Sequence, residues 1–126
     1  MINNEIWTHI LPKDLLNYFK IEKVVEVKNK REEIDIEITL AELNNMPIGY
    51  PKDQYESKGF LPAKRIQDFP IRGKAVYLLV KRRRWRDKTT KKEIRSDYRF
   101  IAEGAKLTKE LSDFLKGTGR DPRRYD

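Results

Sequence analysis

Cysteine is absent from this 126-residue chain, and histidine occurs only once, at His9. Without cysteine the chain can form no disulfide framework, no thiolate zinc site and no cysteine nucleophile. A single histidine beside apolar residues provides no Ser/His/Asp constellation, and its position favours helix packing or surface exposure over metal ligation. We therefore expect no catalytic residue, no bound metal and no cofactor, and we predict that the chain is not an enzyme.

Long apolar runs are absent as well. The longest extends over only a few residues, whereas a membrane-spanning helix needs about 20. The N-terminus also lacks the apolar core of a signal peptide. The hydrophobic fraction of 38% indicates a thin core inside a heavily charged chain. These features predict a soluble, cytoplasmic protein with no membrane partner.

Positive charge is concentrated in the middle of the chain. Residues 1–63 contain 8 Lys and Arg against 11 Asp and Glu, whereas residues 64–109 contain 16 against 5. The remaining residues, 110–126, contain 4 of each sign, which gives the net charge of +8 for the whole chain. A localised basic surface is typical of nucleic-acid binding.

Apolar spacing predicts the elements of the first half. Leu11, Leu15 and Phe19 form the stripe of a short helix over 11–19, and Ile2, Ile6 and Ile10 have the same spacing. Strict alternation over Ile34–Leu40 predicts a half-buried strand that pairs with Ile21–Lys28 through a turn near residues 29–31. Residues 41–63 contain five glycines and prolines and are predicted to be irregular.

The second half is predicted to contain strands followed by a helix. Two strand-like runs surround a turn at Ile71–Lys74, and the polar turn "DKTTKK" leads to a third strand over Glu93–Ala102. A helix over 105–116 would have Thr108 as its N-cap and Gly117 as its stop. Its apolar face would be formed by three residues, Leu111, Phe114 and Leu115.

These elements predict an α+β fold, with a small antiparallel sheet of β-hairpins and both an N-terminal and a C-terminal helix. One domain would cover residues 1–116. It would consist of a helix, acidic hairpin and loop (1–63), a basic ribbon (64–104) and a helix (105–116). Residues 117–126 would form a disordered basic tail.

The basic ribbon contains the candidate binding residues. Its strand is apolar from Val76 to Val80 and then continues as "KRRRWRD", with both faces becoming basic. We expect it to leave the sheet as a two-stranded ribbon that carries guanidinium groups and an indole into solvent, where arginine can bind phosphates or base edges. An edge strand protected by charge is the alternative, but that usually takes fewer charges. The predicted DNA-binding residues are Arg72, Lys74, Lys81, Arg82, Arg83, Arg84, Arg86, Lys88, Lys91 and Lys92.

Three other features have simpler explanations than a site. The acidic residues Glu33, Asp35 and Glu37 fit the solvated face of a strand better than a nuclease metal site. The Gly73-Lys74 pair lacks the spacing of a phosphate-binding loop. Trp85 could contact nucleic acid, but we favour a role in the core because so small a domain has few large apolar residues to spare.

The blocks "IQDFPIRGKAVYL" and "KRRRWRD", together with the upstream "LPKDLLNYFKIEKV", carry a family resemblance. Over about residues 11–116 the chain resembles the N-terminal-region proteins of ISAon-type insertion-sequence transposases. It is also similar to the zinc-ribbon segment of the wider ISL-three transposase group. The resemblance implies a DNA-binding subunit that recognises transposon-end duplex DNA during transposition, a form of DNA recombination. The catalytic DDE domain would be on a separate chain that acts as its partner.

The chain departs from that family at the metal-binding positions. Asp87 and Thr90 stand where the second cysteine pair would fall, and the first pair is missing upstream of Gly59. The resemblance therefore implies a degenerate, zinc-free ribbon whose core replaces the folding energy of the metal. Two alternatives stay open. One is an RNA-binding or regulatory module, and the other is a protein-interaction module that docks on an acidic partner.

Overall fold

The computed structural model describes residues 4–45, 49–95, 98 and 106–117. Its elements in chain order are α1 Asn4–Ile10, α2 Leu15–Tyr18, β1 Phe19–Lys28, β2 Ile34–Glu42, β3 Tyr55–Phe60, β4 Lys64–Ile71, β5 Lys74–Lys81, β6 Arg83–Asp87, β7 Glu93–Ile94 and α3 Lys109–Gly117. This arrangement confirms the predicted α+β class. No helix in the described ranges is long and apolar enough to cross a membrane.

Both predicted hairpins are present, and each has a turn suited to its residues. Between β1 and β2, the side-chain oxygen Oδ1 of Asn29 accepts hydrogen bonds from the backbone N–H groups of Arg31 (2.9 Å) and Glu33 (3.1 Å). Between β4 and β5, Arg72 and Gly73 have φ values of 52° and 78°. Two successive positive φ values are the signature of a type I′ turn, whose twist matches that of the flanking strands.

The larger sheet is mixed, which corrects the prediction of a purely antiparallel one. Its strand order is β1-β2-β5-β4, and β2 pairs with β5 in parallel. This pairing sets Ile36 beside Val76 and Leu40 beside Val80. We attribute it to burial, because the pairing places the apolar residues of β2 and β5 on one side of the sheet.

A second sheet, with the order β3-β6-β7, follows directly from the first. The prediction that residues 41–63 are irregular is wrong over Tyr55–Phe60, which form β3 and pair with β6. Gly59 has a φ of 86°, and the register shifts between Ser57 and Phe60, so β3 contains a bulge at the glycine. The third predicted strand is present only as β7. Residues 96–97 and 99–102 of that prediction lie outside the described residues.

The N-terminal residues that cover the main core form a shorter helix than predicted. Leu11, Leu15 and Phe19 are buried against the larger sheet, as their spacing indicated. However, the helix predicted over 11–19 is only α2, because Asp14 has a left-handed φ of 65° and the chain becomes extended at Phe19.

The C-terminal helix α3 begins after the predicted cap. Leu111 donates its backbone N–H to Thr108 Oγ1 at 3.3 Å, and Thr108 donates its hydroxyl to Asp68 Oδ1 at 2.9 Å. Leu111 and Leu115 are buried, whereas Phe114 is 54% exposed and contacts only the edge of the small apolar cluster through Phe69. The predicted tail, apart from Gly117, lies outside the described residues.

Candidate nucleic-acid interface

The arginine-rich segment does not extend into solvent as a two-stranded ribbon. The chain leaves β5 at Lys81, passes through the single residue Arg82, and enters β6 as the middle strand of the second sheet. The Arg82 carbonyl accepts the Leu61 backbone N–H at 2.7 Å, which holds this joint in place. Since β6 has neighbours on both sides, its side chains can point only to one or the other face of that sheet.

Arg83 joins the two sheets. Its backbone N–H donates to Glu42 Oε1 at 2.9 Å, its Nε donates to the Glu42 carbonyl at 3.0 Å, and its Nη1 donates to Ser57 Oγ at 2.9 Å. The guanidinium also lies 4.7 Å from the centre of the Phe60 ring. Glu42 is only 1% exposed and accepts a further hydrogen bond, at 2.5 Å, from the Tyr98 hydroxyl. The backbone N–H of Arg83 and the Tyr98 hydroxyl therefore satisfy the buried carboxylate. The half-buried Arg83 guanidinium is held by the Glu42 carbonyl and by Ser57.

The other cations of the segment are also engaged in internal contacts. Lys81 forms a 2.5 Å ion pair with Glu22. Arg84 donates to the Lys58 carbonyl at 3.2 Å, and its Nε lies 3.8 Å from a Glu93 oxygen. The side chains of Arg84 and Arg86 remain 43% and 31% exposed. Exposed ion pairs of this kind are weak. A phosphate could therefore replace the carboxylate that each arginine contacts, Glu93 for Arg84 and Glu56 for Arg86.

Trp85 lies in the core, as we favoured from the sequence. It is 3% exposed and is paired across the sheet with Ser57 on one side and Ile94 on the other. Among the residues that the structure describes, its indole Nε1 has no hydrogen-bond partner. The expectation that the segment carries an indole into solvent is therefore wrong.

Asp87 organises the turn that follows β6. Its Oδ1 accepts backbone N–H groups from Thr89 (2.8 Å) and Thr90 (3.1 Å), and its Oδ2 accepts Gln54 Nε2 at 2.7 Å. The hydrogen bond from Gln54, followed by those from the Thr90 and Thr89 N–H groups, lowers the pKa of Asp87. The turn is completed by Lys91, whose φ is 65°. A buried carboxylate thus holds together the positions where the family resemblance would place metal ligands.

The outward side of the second sheet and its turn form one basic surface, which we name the hairpin face. It has seven cations: Lys58, Arg84, Arg86, Lys88, Lys91, Lys92 and Arg95. Two carboxylates, Glu56 and Glu93, lie among them. The hydrogen bond from Arg86, helped by the charges of Lys58 and Lys91, lowers the pKa of Glu56. These charges therefore act on one another as a single cluster, and its excess is positive.

Arg72 and Lys74 are not part of the hairpin face. Lys74 begins β5, seven residue steps before Lys81, which corresponds to about 23 Å of extended strand, and Arg72 lies in the turn before it. The parallel pairing of β2 with β5 instead brings them next to the β1–β2 turn. The ten predicted residues thus occupy three places: this distal end, the half-buried joint at 81–83, and the hairpin face.

Neither a metal site nor a family match assigns a further role to the described residues. Within residues 4–45, 49–95, 98 and 106–117, no group of three or more His, Cys, Asp or Glu side chains is placed to hold a metal ion. Comparison with protein-family models, curated proteins and solved structures found no match to this chain.

Proposed function

We propose that this chain is a non-catalytic DNA-recognition subunit of a transposase. It binds transposon-end duplex DNA through the hairpin face, and a separate DDE subunit carries out the chemistry. The resemblance in the sequence supports the biological context, and the hairpin face supports the mode of binding. Its excess of exposed cations, centred on the turn that follows β6, is the observation on which the proposal depends.

The chemistry of the hairpin face suits a DNA backbone. Lys88, Lys91 and Lys92 are exposed on the turn, and Arg84 and Arg86 stand behind them with part of each guanidinium open to solvent. These side chains can contact the phosphates along a duplex, and each arginine can offer a phosphate two donors. Neutralising phosphates releases condensed counterions, so the affinity should depend steeply on salt.

The test measures duplex affinity as a function of salt for two triple variants that lose the same charge. One carries Lys88→Ala, Lys91→Ala and Lys92→Ala. The control carries Lys20→Ala, Lys23→Ala and Lys116→Ala, three exposed lysines outside the hairpin face. If about five phosphates are neutralised, the wild-type slope of log affinity against log salt should be roughly −4 to −5.

We expect the hairpin variant to lose about three units of that slope and the control variant to lose little. Terminal-repeat duplex should also outcompete random duplex of the same length. Equal slopes for the two variants would show that the hairpin face is not the duplex site. A slope near zero for the wild type would favour docking on an acidic protein instead.

A further inference from the structure

The larger sheet has an open groove on the side opposite its core. Side chains alternate along each strand, so Asp35, Glu37, Arg65 and Tyr77 point away from the buried Ile38 and its neighbours. Together with the adjoining turns they line a groove of about 680 Å³. That volume lies within the range of sites for small ligands, about 300–1,000 Å³. The proposed function makes no use of this groove.

A flat stacking surface is already assembled in the groove. The Arg65 guanidinium lies 3.4 Å above the centre of the Tyr77 ring, and its Nε is 3.7 Å from Glu37 Oε2. The Arg65 side chain is 50% exposed, so one face of the guanidinium covers the ring and the other is available. A guanidinium plane held in this way can stack on an unpaired nucleic-acid base. Because two partners already orient it, little ordering remains to be done on binding.

Hydrogen-bond acceptors lie beside that surface. Asp35 is 6% exposed, and its Oδ1 accepts the Asn29 side-chain amide at 3.0 Å, which fixes the carboxylate at the floor of the groove. Glu37 is on the same strand face and is 22% exposed at its side chain. Carboxylate oxygens in this position can accept N–H donors on the edges of an unpaired base, either the amino groups of adenine and cytosine or the N3–H of thymine and uracil.

Cations surround one end of the groove. The parallel β2–β5 pairing brings the β1–β2 turn beside the β4–β5 turn. Lys28, Lys30 and Arg31 line the groove, and Arg72 and Lys74 lie at the neighbouring β4–β5 turn. Within the described part of the chain, the charged groups of these five residues form no hydrogen bond or ion pair. The carboxylates Glu32 and Glu33 lie on the same turn but leave the excess positive. Unlike the engaged cations of β6, these five are available to bind phosphate groups without first breaking an internal contact.

We propose that this groove binds a short single-stranded nucleic-acid segment, with one base stacked on Arg65 and its phosphates on the cations of the two turns. A paired base would be unavailable for such stacking, since its faces are covered within the duplex. The site is separate from the hairpin face and does not depend on the duplex binding proposed above.

The test compares two conservative variants that keep the net charge. Arg65→Lys keeps the cation but removes the plane, whereas Tyr77→Phe keeps the ring. Binding of a fluorescent oligo(dT) of about eight nucleotides, and of the matching oligo(U), would be followed by anisotropy. Arg65→Lys should weaken both by about fivefold or more, the loss of one stacked base. Tyr77→Phe should bind like the wild type.

A double variant of the β1–β2 turn, Lys30→Ala with Arg31→Ala, provides a second measurement that does not depend on the stacking surface of Arg65 and Tyr77. It should reduce the salt slope for the oligonucleotides by about one to two units and leave duplex binding unchanged. Equal affinity for the two oligonucleotides would indicate contacts to base and phosphate alone, and a preference for oligo(U) would add a contact to the 2′-hydroxyl. Failure of the wild type to bind either one, or unchanged binding by Arg65→Lys at an unchanged melting temperature, would refute the site. The triple lysine variant of the hairpin face tests the proposed function separately, through its affinity for duplex DNA.

Discussion

Truncating Trp85 to alanine should destabilise the fold without removing a DNA contact. A buried tryptophan removes up to about 250 Å² from water, which at about 25 cal/mol/Å² is worth about 6 kcal/mol. The alanine methyl recovers part of this, and the unpartnered Nε1 hydrogen of Trp85 already costs about 1–3 kcal/mol. The net loss should therefore be about 2–4 kcal/mol, within the usual range for large-to-small core changes.

This loss translates into a large shift in melting temperature. For a chain of 126 residues, the entropy of unfolding is about 0.26 kcal/mol/K, so Trp85→Ala should lower Tm by about 8–15 °C. Thermal unfolding followed by circular dichroism measures this directly. Trp85→Phe is the matched control: it keeps a buried ring and removes the unpartnered N–H, so its Tm should fall less than half as far.

Duplex affinity, measured well below either melting temperature, should stay close to wild type in both Trp85 variants. The indole is on the buried side of the second sheet, whereas Arg84 and Arg86 occupy the other side. A Trp85→Ala protein that melts like the wild type but no longer binds DNA would refute the reasoning. The tryptophan would then belong to the binding site.

Two further outcomes concern metal and pH. Thermal unfolding with and without a chelator should coincide, because the chain has no cysteine and one histidine while a structural zinc site normally takes four ligands; a lower Tm in chelator would contradict this. Burial raises the pKa of Asp68 despite the opposing hydrogen bond from Thr108, so the folded state holds this proton more tightly than the unfolded state. The stability contributed by the protonated form is present below the unfolded pKa of about 3.9 and is lost as pH rises through the raised folded pKa. Asp68→Asn should remove that loss, keep the acceptor for Thr108, and unfold in urea at pH 7 with a free energy equal to or above wild type. Asp68→Ala, which leaves the Thr108 hydroxyl without its acceptor, should be less stable, and an Asp68→Asn protein as unstable as Asp68→Ala would show that the charge itself is needed.

Local patterns in the sequence predicted the local structure well. Alternation over Ile34–Leu40 identified β2, the break between two strand-like runs at Ile71–Lys74 identified the tight β4–β5 turn, and Thr108 identified the start of α3. Each of these depends on a few neighbouring residues and on well-defined backbone preferences. The exception is the N-terminal helix, because the positive φ of Asp14, 65°, keeps residues 11–14 out of the helix that their apolar spacing predicted.

Pairing between distant segments was not visible in the sequence. The parallel contact between β2 and β5 crosses more than 30 residues, and nothing in either strand specifies which neighbour it takes. The same holds for Glu42 and Arg83, which are 41 residues apart. For this reason the count of arginines in "KRRRWRD" overestimated the number of free guanidinium groups. The stacking of Arg65 on Tyr77 was also missed, because the two residues come from different strands.

The short joint at Arg82 has a consequence for insertions and deletions. In β5 the buried residues have even numbers, such as Val76, Leu78 and Val80, whereas in β6 Trp85 and Asp87 are buried. The interiors of the two sheets therefore lie on opposite sides of a nearly continuous strand, and one residue separates them. Removing or adding a single residue there would exchange the two sides of β6, burying the guanidinium groups that now face outward and exposing the indole. Length changes at this joint should therefore be tolerated only in steps of two residues, which preserve the alternation on both sides.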